Sequence, residues 1–90
     1  MKVKNMESKN GNFVPNQFII IDNNATYFQS YNSIIAKIEM IEGIKKTFLD
    51  EYYYNYSRTT SKYRNMFLGE DTKQIENKIK AKEYILTNLN

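Results

Sequence analysis

The chain has 90 residues, with 13 Lys and Arg against 10 Asp and Glu, no Cys and no His. One small domain is expected at this length, and a two-domain enzyme is excluded. The missing Cys and His remove disulfides, thiol nucleophiles, Cys/His zinc sites and imidazole acid–base chemistry together, so no metal and no cofactor is expected. Hydrophobic residues at 41% and charged residues at 26% are those of a folding domain. The net charge of +3 permits contact with nucleic acid or with an enzyme that handles it, yet domains built to hold a duplex are more basic. The longest apolar run, Phe18 to Ile21, is far short of the roughly 18 residues of a membrane span, and Met1 to Asn12 has no apolar targeting core. A cytoplasmic protein is expected, in keeping with the absence of Cys.

Residues 1–12 read as a mobile arm, because Asn5, Glu7, Ser8, Asn10, Gly11 and Asn12 offer nothing to a core. Residues 13–90 read as one domain. Gln17 to Asp22 holds three consecutive isoleucines and predicts a buried strand after Pro15-Asn16. Asn23-Asn24 predicts a turn, and Ala25 to Tyr31 a half-exposed returning strand. Ile34 to Met40 has the clearest period of two, with Lys37 and Glu39 opposite the apolar set, and Ile44 to Leu49 follows the Glu42-Gly43 reversal. From Tyr52 the period lengthens. Tyr56, Thr60, Tyr63 and Phe67 share one stripe at 100° per residue, with Arg58, Lys62 and Asn65 on the other side, which predicts a helix ending at Gly69. Asp71 with Gln74 predicts a capping box for a second helix that turns Ile75 and Ile79 inward, and Tyr84 to Thr87 predicts a strand at the sheet edge. The order β-β-β-β-α-α-β gives an α+β fold, a single antiparallel sheet covered by two short helices.

Catalysis would have to use carboxylates, Lys, Ser, Thr or Tyr. The carboxylates are scattered, and the adjacent pair Asp50-Glu51 reads as a solvated strand end. Ser57, Thr59, Thr60 and Ser61 have no accompanying base and read as helix capping. Three isolated glycines exclude a P-loop or dinucleotide fingerprint. No enzyme is expected. One stretch differs from its surroundings: the 18 residues between Glu51 and Glu70 contain no acid, both arginines and six of the 13 aromatic residues. Tyr54, Tyr56, Arg58, Lys62, Arg64 and Asn65 are the candidate binding residues. Guanidinium and hydroxyl groups bond phosphate, rings stack on bases, and Tyr and Arg also dominate protein–protein contacts, so the segment fits either kind of partner. The bland reading makes Tyr63, Met66 and Phe67 core, and the basic residues a solvated helix face.

Phe28-Gln29-Ser30-Tyr31-Asn32-Ser33, then Tyr56-Ser57-Arg58-Thr59-Thr60-Ser61-Lys62-Tyr63-Arg64-Asn65 with Phe67-Leu68-Gly69, and finally Glu83 to Asn90 carry a likeness. Over Tyr27 to Asn90 the chain resembles small uncharacterised accessory proteins of bacteriophages, plasmids and other mobile elements of low-GC bacteria. The resemblance implies a setting, the host bacterial cytoplasm, and no activity. Accessory proteins of that setting without catalytic residues often act by binding, which makes an anti-CRISPR-like inhibitor of a bacterial defence nuclease, acting by occlusion, the leading expectation. Its partner would be a host protein or protein–nucleic-acid complex. The alternatives are a small nucleic-acid-binding or regulatory protein using Tyr52 to Gly69, and an accessory protein whose thin core is completed in a homodimer.

Overall fold

Short β-branched runs and tight reversals build most of the fold, which a computed structural model describes for residues 1–90. Strands β1 (Lys2–Glu7), β2 (Phe13–Ile21), β3 (Ala25–Ser30), β4 (Ser33–Ile41) and β5 (Ile44–Asp50) form an antiparallel meander. Helices α1 (Arg58–Leu68) and α2 (Thr72–Lys80) follow, and β6 (Tyr84–Thr87) completes the sheet beside β5. The fold is α+β, and the helices fall where the periodicity places them. Ser57 caps α1 by accepting the Thr60 amide, and Gly69 ends it at φ 70°. Asp71 and Gln74 form the expected capping box of α2. Glu42 and Gly43 both have positive φ (52° and 77°), the two-residue reversal that suits the right-handed twist of a hairpin.

Two expectations are corrected. The segment read as a mobile arm contains β1, paired with β2 from Lys2↔Ile21 to Glu7↔Phe13. Its polar residues do not prevent this, because an edge strand needs backbone pairing and a single inward anchor. Met6 is that anchor and is buried in the core, while Asn5 Nδ2 donates to the Val14 carbonyl at 3.1 Å. The polar run at residues 8–12 is the turn itself, closed by the Ser8 amide to Asn12 and the Gly11 amide to Ser8. The sheet is also mixed, not wholly antiparallel: β6 runs parallel to β5, from Thr47↔Tyr84 to Asp50↔Thr87. The two helices carry the chain from the Asp50 end back to the level of Thr47, so the last strand must repeat the direction of β5.

One sheet face carries the helices and the core. Phe28, Ile35, Ala36, Leu49, Tyr63 and Ile75 are buried together, and Phe67 stacks on Phe28 with ring centroids 5.9 Å apart. A bulge between Phe28 and Gln29 lets both Ile35 and Ala36 turn into this core, which the simple alternation of β4 would forbid. Along the strands α1 packs chiefly on β3 and β4, and α2 on β6. The opposite face carries a register row across the sheet, Val3, Ile20, Tyr27, Lys37, Phe48 and Ile85. There Lys37 Nζ lies 5.7 Å from the Tyr27 ring and 5.5 Å from the Phe48 ring, and pairs with Glu39 at 3.1 Å.

Candidate functional site

The acid-free segment reaches the Asp50 end of the sheet as a turn fixed by a buried carboxylate. Asp50, expected at a solvated strand end, is buried. Its Oδ2 accepts the amides of Tyr52 (3.1 Å) and Tyr53 (3.0 Å), and its Oδ1 accepts the Leu89 amide (2.8 Å) and Asn90 Nδ2 (2.9 Å). Burial alone would raise this carboxyl, but the four donors outweigh it and hold its pKa below the ordinary value. The charge thereby clamps the start of the tyrosine turn to the C-terminal residues.

Beyond that clamp the rings gather. Tyr53 meets Tyr52 at 6.5 Å between centroids and Tyr56 edge-on at 5.8 Å. Tyr31, from the β3–β4 hairpin, joins Tyr53 and Tyr56 around a cleft of about 210 Å³ whose walls include Ser30, Ser33 and Ile35. Tyr52, Tyr56 and Tyr31 are 79%, 63% and 45% exposed. The floor is rigid: Thr60 is buried and its hydroxyl lies 2.9 Å from Ser30 Oγ, tying the first turn of α1 to the end of β3. Tyr31 itself sits at φ 57°, an uncommon conformation for so large a residue. Its amide donates to the Asn16 carbonyl (2.7 Å) and its carbonyl accepts Gln29 Nε2 (2.8 Å). The surrounding bonds therefore hold a strained backbone that projects a ring into the cleft.

The six residues nominated from the sequence separate into two groups. Tyr56, Arg58 and Lys62 are exposed, and neither Arg58 nor Lys62 has an ion-pair partner. Lys62 Nζ rests 5.4 Å from the Tyr63 ring. Arg64 is corrected: it is wholly buried and touches no solvent. Its guanidinium donates to the Tyr54 carbonyl (2.5 Å), to Asn65 Oδ1 (3.1 and 2.9 Å) and to Thr72 Oγ1 (3.3 Å). Asn65 Nδ2 also donates to Thr72 Oγ1 at 3.1 Å. Arg64, Asn65 and the Tyr54 backbone thus join the tyrosine turn, α1 and α2, and they are not free for a ligand. Tyr54 is half-buried against the core. Tyr31 was not among the nominated residues; the sign available was a large ring at a hairpin reversal, where Asn or Gly is usual.

The exposed groups of this site are ones suited to binding. Amphipathic rings supply contact area and hydroxyls at low entropic cost, and an unpaired Arg58 can grip a carboxylate or phosphate. No group of three or more acidic side chains lies close enough to hold a metal ion. No helix is long and apolar enough to cross a membrane. Fold and site together define a small α+β domain with a tyrosine-lined cleft at one end of its sheet. Residues 1–84 match a family of unknown function, DUF8033, and the chain belongs to that family. No curated protein and no solved structure matches the chain.

Proposed function

We propose that the chain is a non-enzymatic binding protein of a mobile element, acting in the cytoplasm of its bacterial host, and that its contact face is the tyrosine-lined end. The target we assign is a defence nuclease, blocked by occlusion. The observation that carries the binding reading is the exposure of Tyr31, Tyr52 and Tyr56 on a buried, hydrogen-bonded base, with the exposed and unpaired Arg58 two residues along the chain from Tyr56. Exposed rings on rigid support are the composition of protein–protein hot spots. A phosphate-tracking surface is less well served, because with Arg64 buried only Arg58 and Lys62 of the segment remain for phosphates. The choice of nuclease rests on the likeness to mobile-element accessory proteins and on the small, reaction-poor site. The +3 charge speaks against mimicry of DNA.

The test is reconstitution. The tagged chain is used to recover a nuclease complex from the host, and cleavage by that complex is then assayed with and without the chain. A stoichiometric complex with inhibited cleavage, both weakened at least tenfold in Tyr52→Ala/Tyr56→Ala, is the expected result. Unimpaired cleavage, together with binding of a free single-stranded oligonucleotide that weakens steeply with salt and is lost in Arg58→Ala, would make the chain a nucleic-acid binder instead.

A further inference from the structure

At the end of the sheet away from the tyrosines, the helix layer is incomplete. The helices have 11 and 9 residues, so each covers only about 14–17 Å. With α1 chiefly on β3 and β4 and α2 on β6, the helix-side face of β1 and β2 is left without a helix of its own. A groove of about 550 Å³ occupies that place. Met6, Ile19, Ile21, Ile38, Met66 and Phe67 form its apolar surface, with Met66 and Phe67 supplied by the last turn of α1. A helix set beside α1 at the usual spacing of about 8–10 Å would lie over β1 and β2, along this groove. Methionine is suited to such a surface, since its flexible thioether adapts to different side chains; Met6 and Met66 line the groove, and Met40 lies exposed on the same face, two residues beyond Ile38.

The charges around the groove specify what kind of helix. Lys4 lines it, and Lys2, paired with Ile21, follows on the same face of β1. Lys9 and Lys62 flank the adjoining cleft that shares Met66. None of these four lysines is in an ion pair, and Glu7 is the one carboxylate in the lining. We infer that this groove docks an amphipathic helix of a partner protein whose apolar stripe is flanked by Asp and Glu, seated as a third helix of the layer. The apolar stripe replaces water on the methionines and isoleucines, and the flanking acids meet the lysine rim. The site is separate from the tyrosine end, so either reading can fail without the other.

Two peptides test it: an 18-residue helix with Leu at i, i+3, i+4 and i+7 repeats flanked by Glu, and its twin with Lys in place of Glu. Methyl NMR of the full chain, labelled at Met and Ile, follows each titration. The Glu peptide is expected to shift the methyls of Met6, Met66, Ile21 and Ile38, and to bind at least tenfold tighter than the Lys twin at low salt. Lys2→Glu/Lys4→Glu, on an exposed edge where the fold does not depend on either side chain, should weaken it about tenfold at unchanged melting temperature. Equal binding of the two peptides, shifts confined to the tyrosine end, or no binding would overturn the inference. So would the same methyls responding more strongly to decanoate, which would make the groove a small-ligand site, or to protein concentration, which would make it a self-association face.

Discussion

Arg64 has no exposed surface and no carboxylate partner, an expensive arrangement that survives because its guanidinium is met by neutral acceptors from the tyrosine turn, from its own helix at Asn65 and from α2. Burial pushes its pKa below the ordinary arginine value, with Glu76 and Tyr54 acting the other way. Its role was legible in the helical wheel: at 100° per residue Arg64 lies about 120° from Arg58 and beside the buried stripe of Thr60 and Phe67. Grouping it with Arg58 by residue type obscured that. Arg64→Ala should cost about 3 kcal/mol in chemical denaturation, and Arg64→Lys should recover only part of it, because an ammonium cannot reproduce the planar fork. Tyr31 lies at the opposite extreme, a site residue that the fold strains. Tyr31→Asn should raise stability by about 1 kcal/mol while weakening any partner bound at the cleft, the trade expected when a left-handed residue is kept for its ring. Gln17 is fully buried with neither amide atom bonded, so Gln17→Met should also be stabilising, by about 1–2 kcal/mol in the same assay.

Between elements, the joint with the clearest electrostatic signature is formed by Glu70, Lys78 and Tyr84, which connect the α1–α2 turn, α2 and β6. Glu70 accepts from Tyr84 Oη and pairs with Lys78 at 2.5 Å. Desolvation raises the Glu70 carboxyl, but the bonds from Lys78 and Tyr84 prevail and leave it below its ordinary value. Glu70 in turn raises Lys78, while burial first and then the bond to Glu70 raise Tyr84. The signs give a plateau. Depressed Glu70 and Asp50 contribute stability that is complete above the ordinary carboxyl range and is lost as pH falls through their folded values. Raised Lys78 and Tyr84 contribute stability that is complete below their ordinary values of 10.5 and 10.0 and is lost as pH rises through the folded ones. Melting temperature against pH should therefore fall at both ends. Glu70→Gln should shrink the alkaline limb to the part set by burial of Tyr84 and leave an acid limb carried by Asp50, whereas a variant that keeps both limbs unchanged would refute this assignment. Periodicity located the elements of this joint, but no spacing rule announces a contact between residues 70, 78 and 84.

At the scale of the whole molecule, the sequence pattern carried the middle strands, both helices, the caps and β6, all of which rest on local periodicity or turn chemistry. It failed at β1 because that strand is mostly polar and buries only Met6, which leaves no alternation to read. Val3 and Met6 are not enough to signal a strand until Ile19 to Ile21 are seen to need a neighbour. The consequence is measurable. A mobile arm could be removed at no cost, whereas deletion of Lys2 to Ser8 should remove the Met6 anchor, unpair the edge of β2 and open the groove floor. Burial of Met6 and the lost ladder together are worth at least about 3 kcal/mol, which for a domain of this size lowers the melting temperature by more than about 10 °C. The bared edge of β2, with Ile19 to Ile21 unpaired, should also make the truncated chain associate at concentrations where the full chain stays dispersed, since lysine-bearing β1 is what blunts that edge. Calorimetry and light scattering on the two chains decide it, and an unchanged melting temperature would return residues 2–8 to the status of an arm.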